Sequence, residues 1–498
     1  MQSGRNRWAL RLLFPVVVAA LSYGGAVLWQ ERAGFQTQTP AFLFEKDQAI
    51  LREEAIPVEG EPDGRPDIVL IVLDTVRADH LGMYGYDRQT SPQLDAWAKE
   101  ARVWEHAQAN GAWTLPSHAS LFTGLPPREH GAHGTPLGAQ ALASALHPDK
   151  PTLAERLQAA GYRTAGIAGN RAFLDSAWGL SRGFESWICE QLPTDPRGLG
   201  YSSGDRITAL AQSWLGQNDR RPRFLFLNYM DAHSPWIPRQ GYRLPDEPLR
   251  RSLLPFRPGW TKATTKMMAQ RVVDPAALAV WIAAYDASLR YLDAQVGSLL
   301  QSLPALGVGP EDYVVIVSDH GEYLGEHFLI EHSKDVYEPV LHVPMLMRGP
   351  GIQPGRDSAL IQLSDIAPRI FAWSRATLES PEEEPFPGYV PTTDFAVSEL
   401  YWTRWRDLKN PQYGQRFNRV RRAFRSGAQK LILGTDRSEE AYLLSTDPSE
   451  LQDLDDASWI PALRQRALTW QAERPETEFT LPGRSADMEA LKALGYME

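Results

Sequence analysis

Three apolar runs in this chain stop at residues that carry chemistry. Ile68–Leu73 leads straight into Asp74, Arg223–Tyr229 (RFLFLNY) is followed by Asp231 and His233, and the run 313–318 ends at Asp319-His320. An unbroken apolar run of this length suits a strand covered on both faces, as in a parallel sheet. Helical patterns lie between the runs: 92–101 with Ser91 as N-cap, 152–160 closed by Gly161 ahead of a strand over Arg163–Ala168, and a long amphipathic helix over 276–303. Strands alternating with helices predict an α/β sandwich with a large, mostly parallel sheet. Open sheets of that kind bind ligands beyond their strand C-termini, so these polar residues are expected at one composite site.

Two segments sharpen the expectation. Residues 113–124 read WTLPSHASLFTG and place the Thr114 hydroxyl two residues before Pro116, where an apolar helix could begin. Unpaired N–H groups and the positive end of the dipole at a helix start favour a nucleophilic oxygen and an anionic substrate. His118 falls one turn beyond Thr114. Residues 317–327 read VSDHGEYLGEH, and Asp74, Asp319 and His320, with Thr114 oxygen as a fourth donor, form a ligand set for one divalent ion. That set suits zinc, manganese, magnesium or calcium. His233 is held between a buried run and the prolines at 235 and 238, while His332 and Lys334 follow in EHSKDVYE. Blander roles compete at each position: a helix-capping Asp at 74, a turn Asp and surface His at 319–320, and ordinary surface residues elsewhere.

The 498-residue chain carries a net charge of −10, which gives no footprint for nucleic acid. Its single cysteine, Cys189, excludes an internal disulfide and reads as a buried small hydrophobe. Residues 12–29 are uncharged and preceded by Arg5, Arg7 and Arg11. Their length suits a transmembrane helix with the basic flank cytoplasmic, putting the remainder in the periplasm or outside the cell; a cleaved signal peptide is the competing reading. Residues 30–65 read as a linker with one short helix around 46–54, 66–375 as a catalytic domain, and 376–498 as a smaller α+β subdomain with short strands in 417–433 and 441–444.

DIVLIVLDTVRADHLGMYGY, TSPQLDAWAKEA, WTLPSHASLFTG, SDHGEYLGEH and HSKDVYEPVLHVPMLMRGPG, in this order, resemble the sulfatase branch of the alkaline phosphatase superfamily, from about residue 66 to 454. The resemblance implies an alkaline-phosphatase-like sandwich, a metal-binding Asp at Asp74 and a substrate-neutralising lysine at Lys334. It also exposes departures. Sulfatases usually carry a second Asp where this chain has Thr75, and make a formylglycine nucleophile in C/S-x-P-x-R, where this chain has Thr114, Pro116 and His118. Threonine cannot give formylglycine, and Cys189 lies outside such a motif. The family's G-K-W-H segment is replaced by Ile167-Ala168-Gly169-Asn170-Arg171, and its frequent Asp-Asn pair by Asp319-His320.

A threonine nucleophile with an Asp-His pair also resembles the superfamily's phosphoethanolamine and phosphoglycerol transferases, and the Asp-His pair resembles its phosphonate and phosphate diester hydrolases. The expectation is therefore a metal-dependent hydrolase of phosphoric or sulfuric esters, with phosphoryl substrates favoured. Thr114 is the expected nucleophile, Lys334 neutralises non-bridging oxygens, and His233 and His332 are candidates to protonate the leaving group. Small-molecule, glycan or lipid esters are the expected substrates. The alternatives are a phospho-headgroup transferase of the cell envelope and a catalytically silent, ligand-binding homologue.

Overall fold

The computed structural model describes residues 64–482, apart from 137, 140–141, 190–200, 237–238, 240, 243–253, 255–257 and 378–383. The expected membrane helix over 12–29, the linker helix around 46–54 and the tail beyond 482 lie outside the described residues. Among the described residues, no single helix is long and apolar enough to cross a membrane.

The strands in chain order are β1 (Ile68–Leu73), β2 (Arg102–Gln108), β3 (Arg163–Ala168), β4 (Ser186–Ile188), β5 (Arg223–Tyr229), β6 (Tyr313–Val317), the short β7 (Tyr323–Leu324) and β8 (Ile330–Glu331), β9 (Met345–Arg348) and β10 (Gly355–Gln362). Eight of them form one sheet, β10-β2-β9-β6-β1-β5-β3-β4. All run parallel except β9, which is antiparallel to both neighbours.

β1 shows why its sequence is apolar at every position. Ile68, Leu70 and Val72 join one core layer, while Val69, Ile71 and Leu73 join the other. Helices α1 (Pro92–Trp97), α2 (Thr114–Thr123), α3 (Leu153–Ala159), α4 (Gly204–Leu215) and α5 (Pro275–Ser302) supply the covering layers, with α6 (Ile366–Trp373) after the last strand. α2 and α6 pack on the first layer through Leu115, Phe122 and Ile370; α4 and α5 pack on the second through Leu210, Trp214, Trp281 and Leu292. The α/β sandwich with a mostly parallel sheet is therefore the architecture observed.

Ser91 occupies the N-cap position of α1, but its hydroxyl does not cap the helix. It donates to Asp95 and accepts from the Gly82 N–H, while the first amides of the helix, Gln93 and Leu94, are taken by Asp293 of α5 at 3.0 and 2.8 Å. A carboxylate from a neighbouring helix does the capping that local sequence suggested for serine.

The C-terminal part forms an antiparallel meander of β11 (Ala396–Tyr401), β12 (Val420–Ser426), β13 (Gln429–Gly434) and β14 (Glu439–Leu443). A short helix α7 (Trp405–Leu408) follows β11, and α8 (Ile460–Glu473) covers the meander through Ile460, Leu463 and Ala467.

Candidate active site

The parallel arrangement delivers three strand ends to one place. β1 runs straight into Asp74, whose N–H donates to the Tyr229 carbonyl of β5 at 2.8 Å. β6 runs straight into Ser318, whose hydroxyl accepts from the Val76 N–H at 2.9 Å and lies 2.6 Å from the Leu73 carbonyl, tying the β1 and β6 termini together. Thr75 takes the turn at φ 63°, a strained conformation for a β-branched residue. It is held on both sides: its N–H donates to Asp319 Oδ1 at 3.2 Å and its carbonyl accepts from the Tyr285 hydroxyl at 2.7 Å.

Asp74, Asp319 and His320 come together with one ligand atom each, all within 4.8 Å of one another. The three are fully buried. Asp74 Oδ1, Asp319 Oδ2 and His320 Nε2 have no hydrogen-bond partner. Unpaired buried atoms of this kind are expensive unless something binds them. Burial raises the pKa of both carboxyls, and for Asp319 the nearby Asp74 charge adds to it. Burial also holds His320 as neutral imidazole, with its pKa pushed down to about 3. Its Nδ1 faces the Gly321 carbonyl at 2.9 Å; since a carbonyl only accepts, Nδ1 carries the proton and Nε2 offers a lone pair. Two acids in one buried pocket with a basic imidazole nitrogen fit a divalent cation.

Thr114 starts α2, a helix with every residue buried and no side-chain cap. Its Oγ1 accepts from Asn170 Nδ2 at 3.2 Å, and the same nitrogen donates to Asp74 Oδ2 at 3.1 Å. The nucleophile candidate and the metal-ligand candidate are thus joined through one amide. Asn228 Nδ2 also donates to Asp74 Oδ2, at 3.2 Å. Sequence reasoning assigned neither asparagine a role. An amide inside the apolar run RFLFLNY was the available signal, because a buried polar side chain in a strand needs a partner.

His118 sits one turn along α2, in the same pocket. Its Nδ1 meets the Thr114 carbonyl at 3.0 Å and lies 3.5 Å from Asp319 Oδ2, and its ring is edge-on to Phe226. Burial pushes its pKa down to about 4. The structure places it against Asp319, beside the metal-ligand candidates.

His233, His320 and His332 cluster, with ring centroids 4.9 Å apart for His233–His332 and 4.5 Å for His320–His332. Burial lowers the pKa of both outer histidines. His332 Nδ1 is 2.9 Å from Glu322 Oε1, a buried carboxyl whose pKa is raised by burial and then by Glu331. Lys334 is fully buried and donates to Asp407 Oδ2 at 3.1 Å, with Glu331 Oε2 at 3.6 Å. Arg404 pairs with Glu331 and with Asp407. Glu322, Arg404 and Asp407 were not foreseen: Glu322 sits inside a motif read for its metal ligands, and the other two arrive from the distant α7 region.

The sequence and the fold have counterparts among known proteins. A family model described as Sulfatase matches residues 66–376. An arylsulfatase of Clostridium perfringens is 23% identical, over 78% of this chain and 90% of that protein. A phosphonate monoester hydrolase of Agrobacterium radiobacter superposes with a TM-score of 0.61 at 20% identity, over 82% of this chain and 96% of its own. A protein solved in complex with its substrate, D-glucosamine-2-N,6-O-disulfate, superposes with a TM-score of 0.60 at 19% identity, over 82% and 97%.

Proposed function

The chain belongs to the sulfatase family, and from that premise we propose that it hydrolyses phosphoric or sulfuric esters by way of a covalent Thr114 intermediate, with phosphoryl substrates preferred. The observation that carries this reading is the shared amide: Asn170 Nδ2 donates both to Thr114 Oγ1 and to Asp74 Oδ2. A hydroxyl therefore stands where the family makes an aldehyde hydrate, directly beside the metal-ligand candidates.

What a divalent ion supplies when held by Asp74, Asp319 and His320 is Lewis acidity, lowering the pKa of a neighbouring hydroxyl and withdrawing charge from an ester oxygen. Thr114 Oγ attacks phosphorus or sulfur in line, giving its proton to His233 or His332, and the ester oxygen takes that proton from the histidine and leaves as the alcohol. Water then attacks the same phosphorus or sulfur and cleaves its bond to Thr114, one water proton restoring the hydroxyl and the water oxygen leaving on the phosphate monoester, phosphonate or sulfate product. The Asn170 amide steadies the oxygen at both steps, while Lys334 and Arg404 bring positive charge to the side from which the non-bridging oxygens are held. Threonine favours phosphoryl over sulfuryl transfer here, because this chain lacks the family's usual nucleophile and its basic sulfate-binding positions.

Substrates are small-molecule or glycan esters, with lipid esters within reach if residues 12–29 anchor the chain outside the cytoplasm. The test assays the full chain with an aryl sulfate, an aryl phosphonate monoester and a phosphate diester beside Thr114→Ala. Diester or phosphonate turnover that vanishes in the variant supports the reading. Sulfate turnover alone overturns the phosphoryl preference, and product transferred to an acceptor alcohol points to an envelope transferase. Bound metal with no turnover at all points to a silent homologue.

A further inference from the structure

Two segments beside the active site, 331–334 and 402–407, are joined by charge. Glu331 Oε2 accepts from Arg404 and from Arg406 Nη2, the latter at 3.2 Å, and lies 3.6 Å from Lys334 Nζ. Asp407 Oδ2 accepts from Lys334 Nζ and from Arg404 Nε, both at 3.1 Å. Three cations therefore share two carboxylates. Glu322, a further carboxyl on this side, is already engaged, with Oε1 2.9 Å from His332 Nδ1. The surplus charge reaches solvent at one residue. The side chains of Lys334 and Arg404 are 0% and 2% exposed, but that of Arg406 is 36% exposed. Among the described residues the Arg406 guanidinium makes one hydrogen bond, to Glu331. A forked donor with one arm tied and the rest open suits a planar anion, which it can grip through two parallel N–H bonds.

The same segments hold polar atoms that the rest of the chain does not satisfy. The Ser333 and Thr403 hydroxyls and the Trp405 indole N–H are buried and have no hydrogen-bond partner among the described residues, an expensive arrangement unless a ligand supplies one. Glu331, Ser333 and Trp402 all take left-handed backbone, at φ 60°, 62° and 51°. Such strain in non-glycine residues is costly and gathers at ligand clamps. Trp402 and Trp405 are only half-buried against the core, and an indole offers apolar surface with a polar handle, which suits the mixed surface of a sugar ring. We propose that Arg406 is a specificity residue for the alcohol portion of the substrate: its guanidinium receives a carboxylate there, so the esters this site takes are those of acidic sugars. The inference rests on reading the neighbouring site as an ester hydrolase. The carboxylate balances the charge that Glu331 and Asp407 leave over, and sugar hydroxyls meet Ser333, Thr403 and the Trp405 N–H. Because this contact is made alike in the ground state and the transition state, it is expressed in KM rather than in kcat.

The test compares metal-loaded full-length protein on sulfate and methylphosphonate esters of glucose and of glucuronic acid at the same hydroxyl. The acidic ester should have a kcat/KM about tenfold higher, the size of one hydrogen bond between charged groups, with the difference in KM. Raising the salt concentration should shrink that margin, since Arg406 is partly open to solvent. Arg406→Gln should remove most of the preference, and Arg406→Glu should reverse it. Arg406→Lys, which keeps the charge without the fork, should fold as the parent does and keep only part of it. A parent that favours the neutral ester, or a preference that survives both Arg406→Gln and Arg406→Glu, overturns the proposal. So does an equal loss of kcat on both esters, the result of a merely structural role. Binding of D-glucuronate and D-glucose, followed by ligand-observed NMR, needs no turnover. Glucuronate should bind the parent about tenfold more tightly than glucose and lose that margin in Arg406→Gln. Selective glucuronate binding without turnover of any ester defeats the proposed activity alone. Ester turnover blind to the carboxylate defeats the Arg406 assignment alone.

Discussion

Asn170 Oδ1 accepts from the N–H groups of Ala172 and Phe173, each at 3.1 Å, so the amide cannot turn over and its Nδ2 must face Asp74 and Thr114. With that donor aimed at Oγ1, the hydroxyl's own proton is directed elsewhere and its lone pair is held in register with the ligand cluster. Asn170→Ala should therefore lower kcat by about 10²–10³-fold, the usual loss for one oxyanion-stabilising donor. The same change leaves two N–H groups unpaired and should lower stability by about 1–3 kcal/mol. Steady-state kinetics beside a melting curve would check both; turnover within a few-fold of the parent would remove Asn170 from the chemistry. Thr114→Ser, which keeps the oxygen, should fold and retain measurable turnover where Thr114→Ala does not. Among single residues, the metal-ligand candidates were legible because Asp74, Asp319 and His320 follow apolar runs. Asn170 was visible only as a departure from the family's basic residue, and nothing local announced that it would bridge two parts of the site. His118 was legible in place, beside the same pocket, but not in its contacts. Helical spacing placed it near Thr114 in sequence, but the i, i+4 hydrogen bond it makes is to the backbone carbonyl.

At the scale of elements, the placement of Thr114 depends on how α2 begins. Ser117 Oγ donates to the Gly111 carbonyl at 2.9 Å, and a Cβ at Gly111 would meet the Pro116 ring at 2.8 Å and the Ser117 nitrogen at 3.3 Å. The strand-to-helix turn is thus closed on a glycine for want of space. Gly111→Ala should push the first turn of α2 away from Asp74, costing about 1–3 kcal/mol by overpacking and lowering kcat. Metal occupancy should be spared, because no ligand strand moves; a variant with parental stability and kcat would show that the turn has slack. Strands were the most legible elements, since β1, β5 and β6 are buried on both faces and their runs stay apolar throughout. β11 escaped notice because AVSELY neither alternates nor stays apolar: Ser398 and Glu399 interrupt it, and they are buried on tertiary partners such as Arg422 on Glu399. The α1 start was placed at the right residue for the wrong reason, since a distant Asp293 supplied the cap.

Across the whole molecule, the C-terminal subdomain is joined to the active site by charge. Arg404 and Asp407 reach from the α7 region to Glu331 and Lys334, and Arg406 lies 3.2 Å from Glu331. Burial alone would raise the Glu331 pKa, yet Arg404, Arg406 and Lys334 outweigh it and bring it down to about 2; Asp407 is lowered in the same way by Lys334 and Arg404. A carboxylate whose folded pKa lies below its unfolded value stabilises the fold above the unfolded value and loses that contribution as pH falls through the folded one. For Glu331 that window runs from the ordinary glutamate value near 4.5 down to about 2, and the contribution is on the order of 3 kcal/mol. Melting temperature should therefore fall steeply on acidification through this window. Arg404→Met should lower stability at neutral pH by about 3–5 kcal/mol, because it strands buried carboxylates without their partner. It should also flatten the acid limb, since the folded pKa of Glu331 returns toward its unfolded value. Because Lys334 is held by Asp407 rather than by its own domain alone, the same variant should lose activity more steeply than metal occupancy. Equal losses in both would mean that the network serves the fold only, and that Lys334 is placed by β8 without help from the C-terminal subdomain.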